Sequence, residues 1–328
     1  MGEKKTKVVV IGGGTGSFTV LSGLKKHENL DLTAVVSMAD EGGSTGKLRD
    51  EYGVLPPGDV RQCLVALSET DVLMRELFNF RFSGGSLAGH NLGNILISAA
   101  EKMTGNFNDA LKVMSTVLHV KGLVLPVTLD KVRLIAELNN GKVIVGETNI
   151  AYNHLVSRFG VKKIYFDKKA RANPEARKAI KNADLVIVGP GSFYTSLVPN
   201  FLVEGISDAL YKAKAKKVFV CNLMNKYGQT DNFSVHDFAH GIEKFIKPNT
   251  FQYVIHNTRI PSPKLLSKYL DEGEPVVFDK SRVSKYHKFI GVDLVNKRIP
   301  KAVSGDAIQR TLIRHDSDKL AAAILSLI

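Results

Sequence analysis

A cluster of glycines directly after a short apolar run is the part of this sequence with the clearest chemical use. The apolar run, residues 8–11, leads into Gly12, Gly13, Gly14, Thr15 and Gly16. An amphipathic run follows, so the segment predicts a strand, a tight turn and a helix. Glycines let a ligand approach the backbone closely, and the start of a helix offers N–H groups with partial positive charge. We therefore expect a phosphate-binding turn here.

The turn does not match the full dinucleotide fingerprint. In the pattern G-x-G-x-x-G the third glycine would fall at Ser17, where serine is still small enough for close packing of helix on strand. This pattern indicates a nucleotide or another phosphorylated small molecule more strongly than it indicates NAD. An NAD-dependent oxidoreductase is therefore kept only as a third hypothesis, beside the two that are given at the end of this section.

A second loop follows the next apolar run and carries acids, glycines and hydroxyl groups together. Residues 38–46 read Met-Ala-Asp-Glu-Gly-Gly-Ser-Thr-Gly, with Asp40 as the first acid. Asp40 could hold Mg²⁺ through its oxygens or accept a proton from an attacking hydroxyl group. It could equally cap the N–H groups of its own loop. The residues leave these alternatives open.

A third loop, residues 82–94, combines glycines with polar side chains just before another apolar run. Its candidate ligand-binding residues are His90, Asn91 and Asn94. These side chains offer hydrogen-bond donors and acceptors near a predicted helix start. They could bind a substrate or only order the loop, and the sequence does not separate the two.

The remaining candidates come later in the chain. The apolar run 184–188 ends in a second glycine turn with Gly189, Gly191 and Ser192, which predicts a second anion site by the same logic. Asn222 follows the apolar run 218–221. Arg314 stands near the end of the chain, where its cation could fold back over the site.

Alternating strand and helix patterns predict the fold class. We expect core strands at 7–11, 32–37, 184–188, 218–221 and 251–255. Such units build an α/β fold with a mostly parallel sheet and helices on both faces, and ligands bind at the carboxyl ends of its strands. Each predicted strand is followed by small or polar residues, as a binding edge requires.

Two local signals refine this expectation. Asn140-Gly141 between alternating segments predicts an inserted antiparallel hairpin at about 130–150, after which strand and helix alternation resumes at Lys163. Asp59 and Gln62 resemble a capping pair, which predicts a helix that starts at Val60. No linker-like stretch flanks the hairpin, so we expect residues 1–328 to form a single domain.

Composition narrows the function classes. The 328 residues carry a formal net charge of +13, which favours anionic partners. The basic residues are densest at 162–181 and 212–217 without interleaved aromatics, so a solvated basic face is favoured over a nucleic-acid groove. Two cysteines without metal-ligand spacing suit a reducing cytosol. We expect a cytoplasmic protein without a membrane span, and homo-oligomerisation or docking of acidic proteins stays open.

Several of these motifs, in this order, resemble the YvcK branch of the YvcK/CofD-like family. The blocks that carry the resemblance are residues 9–16, 36–46, 55–61, 86–94, 189–192 and 221–224. The likeness runs from about residue 7 to 325. It implies a Rossmann-like fold and a cytoplasmic gluconeogenesis factor that is needed for normal cell shape on gluconeogenic carbon sources.

The resemblance also implies a ligand and two functions. The YvcK branch is associated with UDP-sugars, notably UDP-N-acetylglucosamine, and Arg314 lies in a segment similar to the one this branch uses for its nucleotide-sugar. The CofD branch is a transferase that moves a 2-phospholactyl-type group from a guanosine diphosphate carrier to a deazaflavin with Mg²⁺. Our first hypothesis is therefore a non-catalytic UDP-sugar-binding regulator without an obligatory cofactor. The second is a CofD-like transferase in which Asp40 holds Mg²⁺ or activates the acceptor.

Overall fold

The computed structural model describes residues 4–267, 269, 272–282, 284–296 and 313–328. Its strands are β1 (Thr6–Gly12), β2 (Leu30–Val36), β3 (Leu123–Pro126), β4 (Leu134–Leu138), β5 (Val143–Val145), β6 (Val161–Phe166), β7 (Leu185–Val188), β8 (Lys216–Val220), β9 (Tyr253–Asn257) and β10 (Lys288–Val292). Together they form a seven-stranded sheet and a three-stranded sheet.

The helices of the described residues connect and cover these strands. They are α1 (Gly14–Leu24), α2 (Gly43–Tyr52), α3 (Gly58–Leu67), α4 (Val72–Asn79), α5 (Leu92–Thr104), α6 (Phe107–Val117), α7 (Glu147–Tyr152), α8 (His154–Phe159), α9 (Pro174–Lys181), α10 (Val198–Leu202), α11 (Ile206–Lys212), α12 (Val235–Glu243), α13 (Pro263–Leu266) and α14 (Ser317–Leu325). A π-helical turn, Phe193–Leu197, leads directly into α10.

The large sheet confirms the predicted fold class. Its strand order is β10-β9-β8-β7-β1-β2-β3, and every pairing in it is parallel. The chain moves outward from β1 to β3 and then returns to the other side of β1 with β7. Because crossovers between parallel strands are right-handed, the helices of the two halves lie on opposite faces. The gap between β1 and β7 is thus the topological switch point, where such sheets bind ligands.

The central strand shows why this sheet forms. Residues Val8, Val9, Val10 and Ile11 are all buried, as expected for a strand with helices on both faces. Strands β2 and β7 flank it and are also apolar and buried over most of their length. Burial of these side chains holds the carboxyl ends of β1, β2 and β7 at one edge of the sheet.

The inserted segment differs from the predicted hairpin. Its Asn140-Gly141 turn joins β4 to β5 as expected, but β6 then pairs with β4 on the other side. The run near Lys163 is therefore the third strand of a small antiparallel sheet and does not return to the main sheet. The error has a physical reason, because an amphipathic edge strand carries the same alternating pattern in either sheet.

Side chains cap the starts of two helices in the second half of the chain. The side chain of Asn173 accepts a hydrogen bond from the N–H group of Glu175, and Pro174 is the first residue of α9. Asp316 caps α14 by accepting from the N–H groups of Asp318 and Lys319. In the part of the chain that the structure describes, no helix is long and apolar enough to cross a membrane.

Candidate functional site

The two glycine turns meet at the switch point of the sheet. Helix α1 begins at Gly14 in the first turn, directly after β1. A Cβ atom at Gly16 would lie 1.6 Å from the carbonyl oxygen of Pro190, which belongs to the second turn after β7. Only a residue without a side chain fits this contact, so the predicted strand–turn–helix unit is confirmed and the two turns form adjoining walls of one crevice.

Asp59 covers the first turn and was not predicted to lie there. Its carboxylate accepts a hydrogen bond from the N–H group of Gly14. A Cβ atom at Gly13 would lie 2.9 Å from one Asp59 oxygen, and a Cβ atom at Gly14 would lie 2.5 Å from the other. The expected cap role is wrong: α3 starts at Gly58 rather than Val60, and no side chain caps it. The helix begins two residues earlier than the sequence pattern predicts, so Asp59 lies within its first turn.

The rest of the first turn is held by α3 and by its own packing. The Thr15 hydroxyl group donates a hydrogen bond to Oε1 of Gln62 over 3.0 Å. Gly12 leaves space for the hydroxyl group of Ser17, to which a Cβ atom would come within 2.7 Å. Ser17, at the position of the third fingerprint glycine, is fully buried between the turn and the sheet. Serine therefore fits here without loosening the turn.

Asp40 lies beside Asp59 at the end of β2. Its Oδ1 accepts a hydrogen bond from the N–H group of Gly42 over 2.9 Å, so the loop-capping role is present. The other oxygen lies over the start of α3, where a Cβ atom at Gly58 would approach it to 2.1 Å. The same virtual atom would lie 2.5 Å from the hydroxyl oxygen of Thr45. Gly58 thus admits the Asp40 carboxylate into the crevice.

Three carboxyl groups share this crevice, and each has a raised pKa. Burial raises the pKa of Asp40. The hydrogen bond from the Gly42 N–H group favours the charged form and offsets only part of this rise. Burial and then the charges of Asp40 and Glu147 raise the pKa of Asp59 well above its usual range. Burial and the charge of Asp40 raise the pKa of Glu147 to about 7. A concentration of acids with perturbed pKa values in a cleft is typical of a functional site.

A cation would relieve the repulsion between Asp40 and Asp59. Among the described residues, no group of three or more His, Cys, Asp or Glu side chains could hold a metal ion by itself. Mg²⁺, however, often takes only one or two protein carboxylates and completes its octahedron with water and phosphate oxygens. The pair therefore fits a Mg²⁺ ion that arrives with a phosphorylated ligand.

Glu41, next to Asp40, forms ion pairs with two arginines. Its Oε1 lies 2.5 Å from Nη1 of Arg49 and 4.0 Å from Nε of Arg133 in the loop before β4. Arg133 also contacts the carboxylate of Asp50 at 2.8 Å. These pairs attach the Asp40 loop to the inserted sheet.

The loop that contains His90, Asn91 and Asn94 forms an ordered hydrogen-bond network beside the acids of the site. Asn91 is the cap of α5 and accepts a hydrogen bond from the N–H group of Asn94 over 3.1 Å. Nδ1 of His90 lies 3.3 Å from the hydroxyl oxygen of Ser44. Oδ1 of Asn94 accepts from Nε of Arg61 over 2.9 Å, and the Arg61 charge offsets a small part of the rise in the pKa of Asp40 and Asp59. The loop-ordering role is thus present, and Asn94 also positions a cation near the acids.

Asn222 forms two hydrogen bonds to the second glycine turn. Its Oδ1 accepts from the N–H group of Gly191 over 3.1 Å, and its Nδ2 donates to the carbonyl oxygen of Gly191 over 2.9 Å. Gly189 donates its N–H group to the carbonyl oxygen of Ile11 in β1. Ser192 precedes the π-helical turn, where a regular helix was expected. Asn222 therefore fixes the shape of the turn rather than extending a free amide into the crevice.

The segment with Arg314 returns to the same edge of the sheet. Nε2 of His315 lies 3.1 Å from the carbonyl oxygen of Cys221, directly after β8. Burial lowers the pKa of His315 to about 4, so its imidazole is neutral and donates this hydrogen bond. The carbonyl oxygen of Arg314 accepts from the N–H group of Asn296. The sequence offered Arg314 as a cation that could fold back over the site, and these contacts of its backbone and of His315 bring the segment to the carboxyl end of β8.

Two site residues carried no clear sequence signal. Asp59 lies in one of the blocks that carry the family resemblance, residues 55–61, but its local pattern predicted a helix cap. Glu147 follows an antiparallel strand of the insertion, and nothing in its neighbourhood predicted that α7 would carry it to the Asp40 carboxylate.

Known proteins resemble this chain over nearly its whole length. The family described as "2-phospho-L-lactate transferase CofD" matches residues 8–296. A putative gluconeogenesis factor of Thermotoga maritima is 43% identical over 320 residues, which are 97% of this chain and 98% of that protein. The gluconeogenesis factor of Bacillus subtilis is 37% identical over 331 residues, covering 100% of this chain and 99% of the relative.

A solved structure shows the same fold. A crystal structure from Bacillus halodurans, described as a member of the UPF0052 family, has a TM-score of 0.88 and 35% sequence identity, and the match covers 99% of this chain and 100% of that one. Full-length similarity in sequence and fold, with both glycine turns inside the matched region, shows that this chain belongs to the CofD family, among relatives named gluconeogenesis factors.

Proposed function

We propose that this protein is a cytoplasmic regulator that binds a UDP-sugar such as UDP-N-acetylglucosamine in the crevice and acts without catalysis as a gluconeogenesis factor, needed for cell shape on gluconeogenic carbon sources. The observation that carries the proposal is the contact of two glycine turns at the switch point, with Gly16 against Pro190. The names of the full-length relatives support the regulatory part. The formal net charge of +13 suits an anionic ligand.

The residues of the crevice have distinct roles in this proposal. The Gly12–Gly16 turn approaches the diphosphate. Asp40 and Asp59 would hold a Mg²⁺ ion, which would neutralise part of the phosphate charge. Arg314 pairs with a phosphate oxygen in a charge-assisted hydrogen bond.

Calorimetric titration tests the proposal. The protein is titrated with UDP-N-acetylglucosamine, UDP-glucose, GDP and NAD, each with and without Mg²⁺. We expect the uridine nucleotide-sugars to bind best and Mg²⁺ to tighten their binding. If no uridine nucleotide binds at millimolar concentration, the proposed function is wrong.

Replacement of Arg314 by alanine is expected to weaken UDP-sugar binding by about 1.5–3 kcal/mol, the usual worth of a hydrogen bond to a charged group. The matched control is Arg158→Ala, which removes an exposed arginine that stacks on Phe159. Equal affinities of the Arg314→Ala and Arg158→Ala proteins would remove Arg314 from the site.

A transferase of the CofD type is the second candidate, and the family match favours it. In that case Asp40 or Glu147 would accept the proton of an attacking hydroxyl group, and a pKa of about 7 suits Glu147 for general base catalysis. The assay supplies Mg²⁺, a guanosine diphosphate-linked 2-phospholactyl-type donor and a deazaflavin acceptor. Product formation would favour the transferase, whereas an inert protein that binds UDP-sugars would favour the regulator.

A further inference from the structure

The inserted sheet contributes one wall of the crevice. Helix α7 starts at Glu147, directly after β5, and packs against the π-helical turn Phe193–Leu197 that follows the second glycine turn. This contact brings Glu147 beside the hydroxyl group of Thr195. Neither residue was among the candidates from the sequence.

The hydroxyl group of Thr195 is poorly satisfied at this wall. Its side chain is 3% exposed, and among the described residues its hydroxyl oxygen makes no well-formed hydrogen bond, although the hydroxyl group lowers the pKa of the neighbouring Glu147. A buried polar group without a partner costs free energy, typically about 1–3 kcal/mol. A poorly satisfied hydroxyl group beside Glu147 is explained when a ligand supplies a better hydrogen bond.

Glu147 and Lys226 add an acceptor and a donor along the same short helix, α7. The ammonium group of Lys226 lies 4.8 Å from the ring centre of Tyr152, at the other end of α7, and interacts electrostatically with Glu147. Glu147 is partly buried, with the hydroxyl group of Thr148 3.3 Å from its Oε2. A carboxyl group, a hydroxyl group and an ammonium group together provide the donors and acceptors that a polyhydroxylated group needs.

The position of these residues in the sheet tells which part of a ligand they face. Asp40 follows β2, on one side of the switch point, whereas Thr195 follows β7 and Lys226 follows β8, on the other side. Ligands with a central diphosphate lie across the switch point, with one end on each side. The end opposite the Asp40 side therefore lies at Thr195.

We propose that Thr195, Glu147 and Lys226 form the subsite for the hydroxyl-bearing group attached to the diphosphate, that is, the sugar of a nucleotide-sugar. This inference rests on the proposed function. The subsite binds the sugar by hydrogen bonds to its hydroxyl groups, so it separates nucleotide-sugars from bare nucleoside diphosphates. A site built to hydrogen-bond a ligand hydroxyl discriminates strongly against a ligand that lacks it.

The experiment measures the preference for UDP-N-acetylglucosamine over UDP by calorimetry. The Thr195→Val protein keeps the shape of the side chain and loses the hydroxyl group, and the control Thr116→Val removes a hydroxyl group that bonds within the exposed face of α6. We expect the Thr195→Val change to reduce the preference at least tenfold and the control to leave it within twofold of the unmodified protein. Thermal unfolding of each protein without ligand verifies that it is folded.

The outcomes separate this inference from the function on which it rests. If the unmodified protein binds no uridine nucleotide, the proposed function fails and the subsite with it. If it binds UDP and the nucleotide-sugar equally, or if Thr195→Val leaves the preference unchanged, the subsite assignment alone is wrong. A Thr195→Val protein that does not fold is replaced by Thr195→Ser, which keeps the hydroxyl group and should retain the preference, and by Glu147→Gln, which should reduce it. A Glu147→Gln protein with the full preference overturns the inference.

Discussion

Replacement of Glu147 by glutamine is expected to stabilise the ligand-free protein at pH 8 by as much as about 3 kcal/mol. Burial and the Asp40 charge raise the pKa of Glu147 from 4.5 to about 7 in the folded protein. Each unit of pKa difference corresponds to about 1.4 kcal/mol of folding free energy. At pH 8 the folded protein must carry this carboxylate in its ionised, unfavourable form, and glutamine removes that cost.

The sign of the pH dependence follows from proton linkage. Because the folded pKa is raised, the folded protein binds more protons than the unfolded chain between pH 4.5 and 7, so stability falls as the pH rises through that range. The gain from Glu147→Gln should therefore shrink to below about 1 kcal/mol at pH 5. Urea unfolding at pH 5 and pH 8 measures both values.

The matched control is Glu137→Gln in β4 of the same inserted sheet. The ammonium group of Lys162, 2.7 Å from Oε1 of Glu137, lowers the pKa of this carboxyl group. Its replacement should give no gain at pH 8. Equal stability of Glu147→Gln and the unmodified protein at pH 8 would contradict the description of Glu147 as a buried acid held for ligand binding.

Replacement of Gly16 by alanine is expected to destabilise the protein by about 3 kcal/mol and to abolish nucleotide-sugar binding. The new methyl group would lie 1.6 Å from the carbonyl oxygen of Pro190, so one of the two turns must move. Overpacking in a well-packed region usually costs about 1–3 kcal/mol, and a clash with backbone falls at the upper end because no side chain can rotate away. Thermal unfolding and calorimetry measure the two effects.

Gly84→Ala is the control for this change. Gly84 lies in an exposed loop, and a Cβ atom there would have no neighbour within 4 Å. Its melting temperature and ligand affinity should match those of the unmodified protein. A Gly16→Ala protein that behaves like Gly84→Ala would show that the two glycine turns are not in close contact in solution.

The parallel sheet was predictable because its strands are buried on both faces. A continuous apolar run such as residues 8–11, followed by small or polar residues, has few other structural solutions. The same reasoning placed Gly12–Gly16, Asp40 and the Gly189–Ser192 turn at one edge of the sheet, since the carboxyl ends of parallel strands meet there. The structure confirms that edge.

The features that the sequence analysis placed wrongly or missed depend on contacts between residues that are far apart in the sequence. Strand β6 has the alternating pattern of any half-buried strand, and only its pairing with β4 shows that it belongs to the small sheet. Asp59 fits a helix-cap pattern as well as it fits the crevice. The position of Glu147 depends on the packing of α7 against the π-helical turn, and local spacing contains no information about that packing.

A crystal structure of the protein with UDP-N-acetylglucosamine and Mg²⁺ would show where the nucleotide-sugar binds. We predict the diphosphate at the Gly12–Gly16 turn, the metal ion between Asp40 and Asp59, and the sugar within hydrogen-bond distance of Thr195. A nucleotide-sugar bound away from the meeting point of the two glycine turns would contradict it.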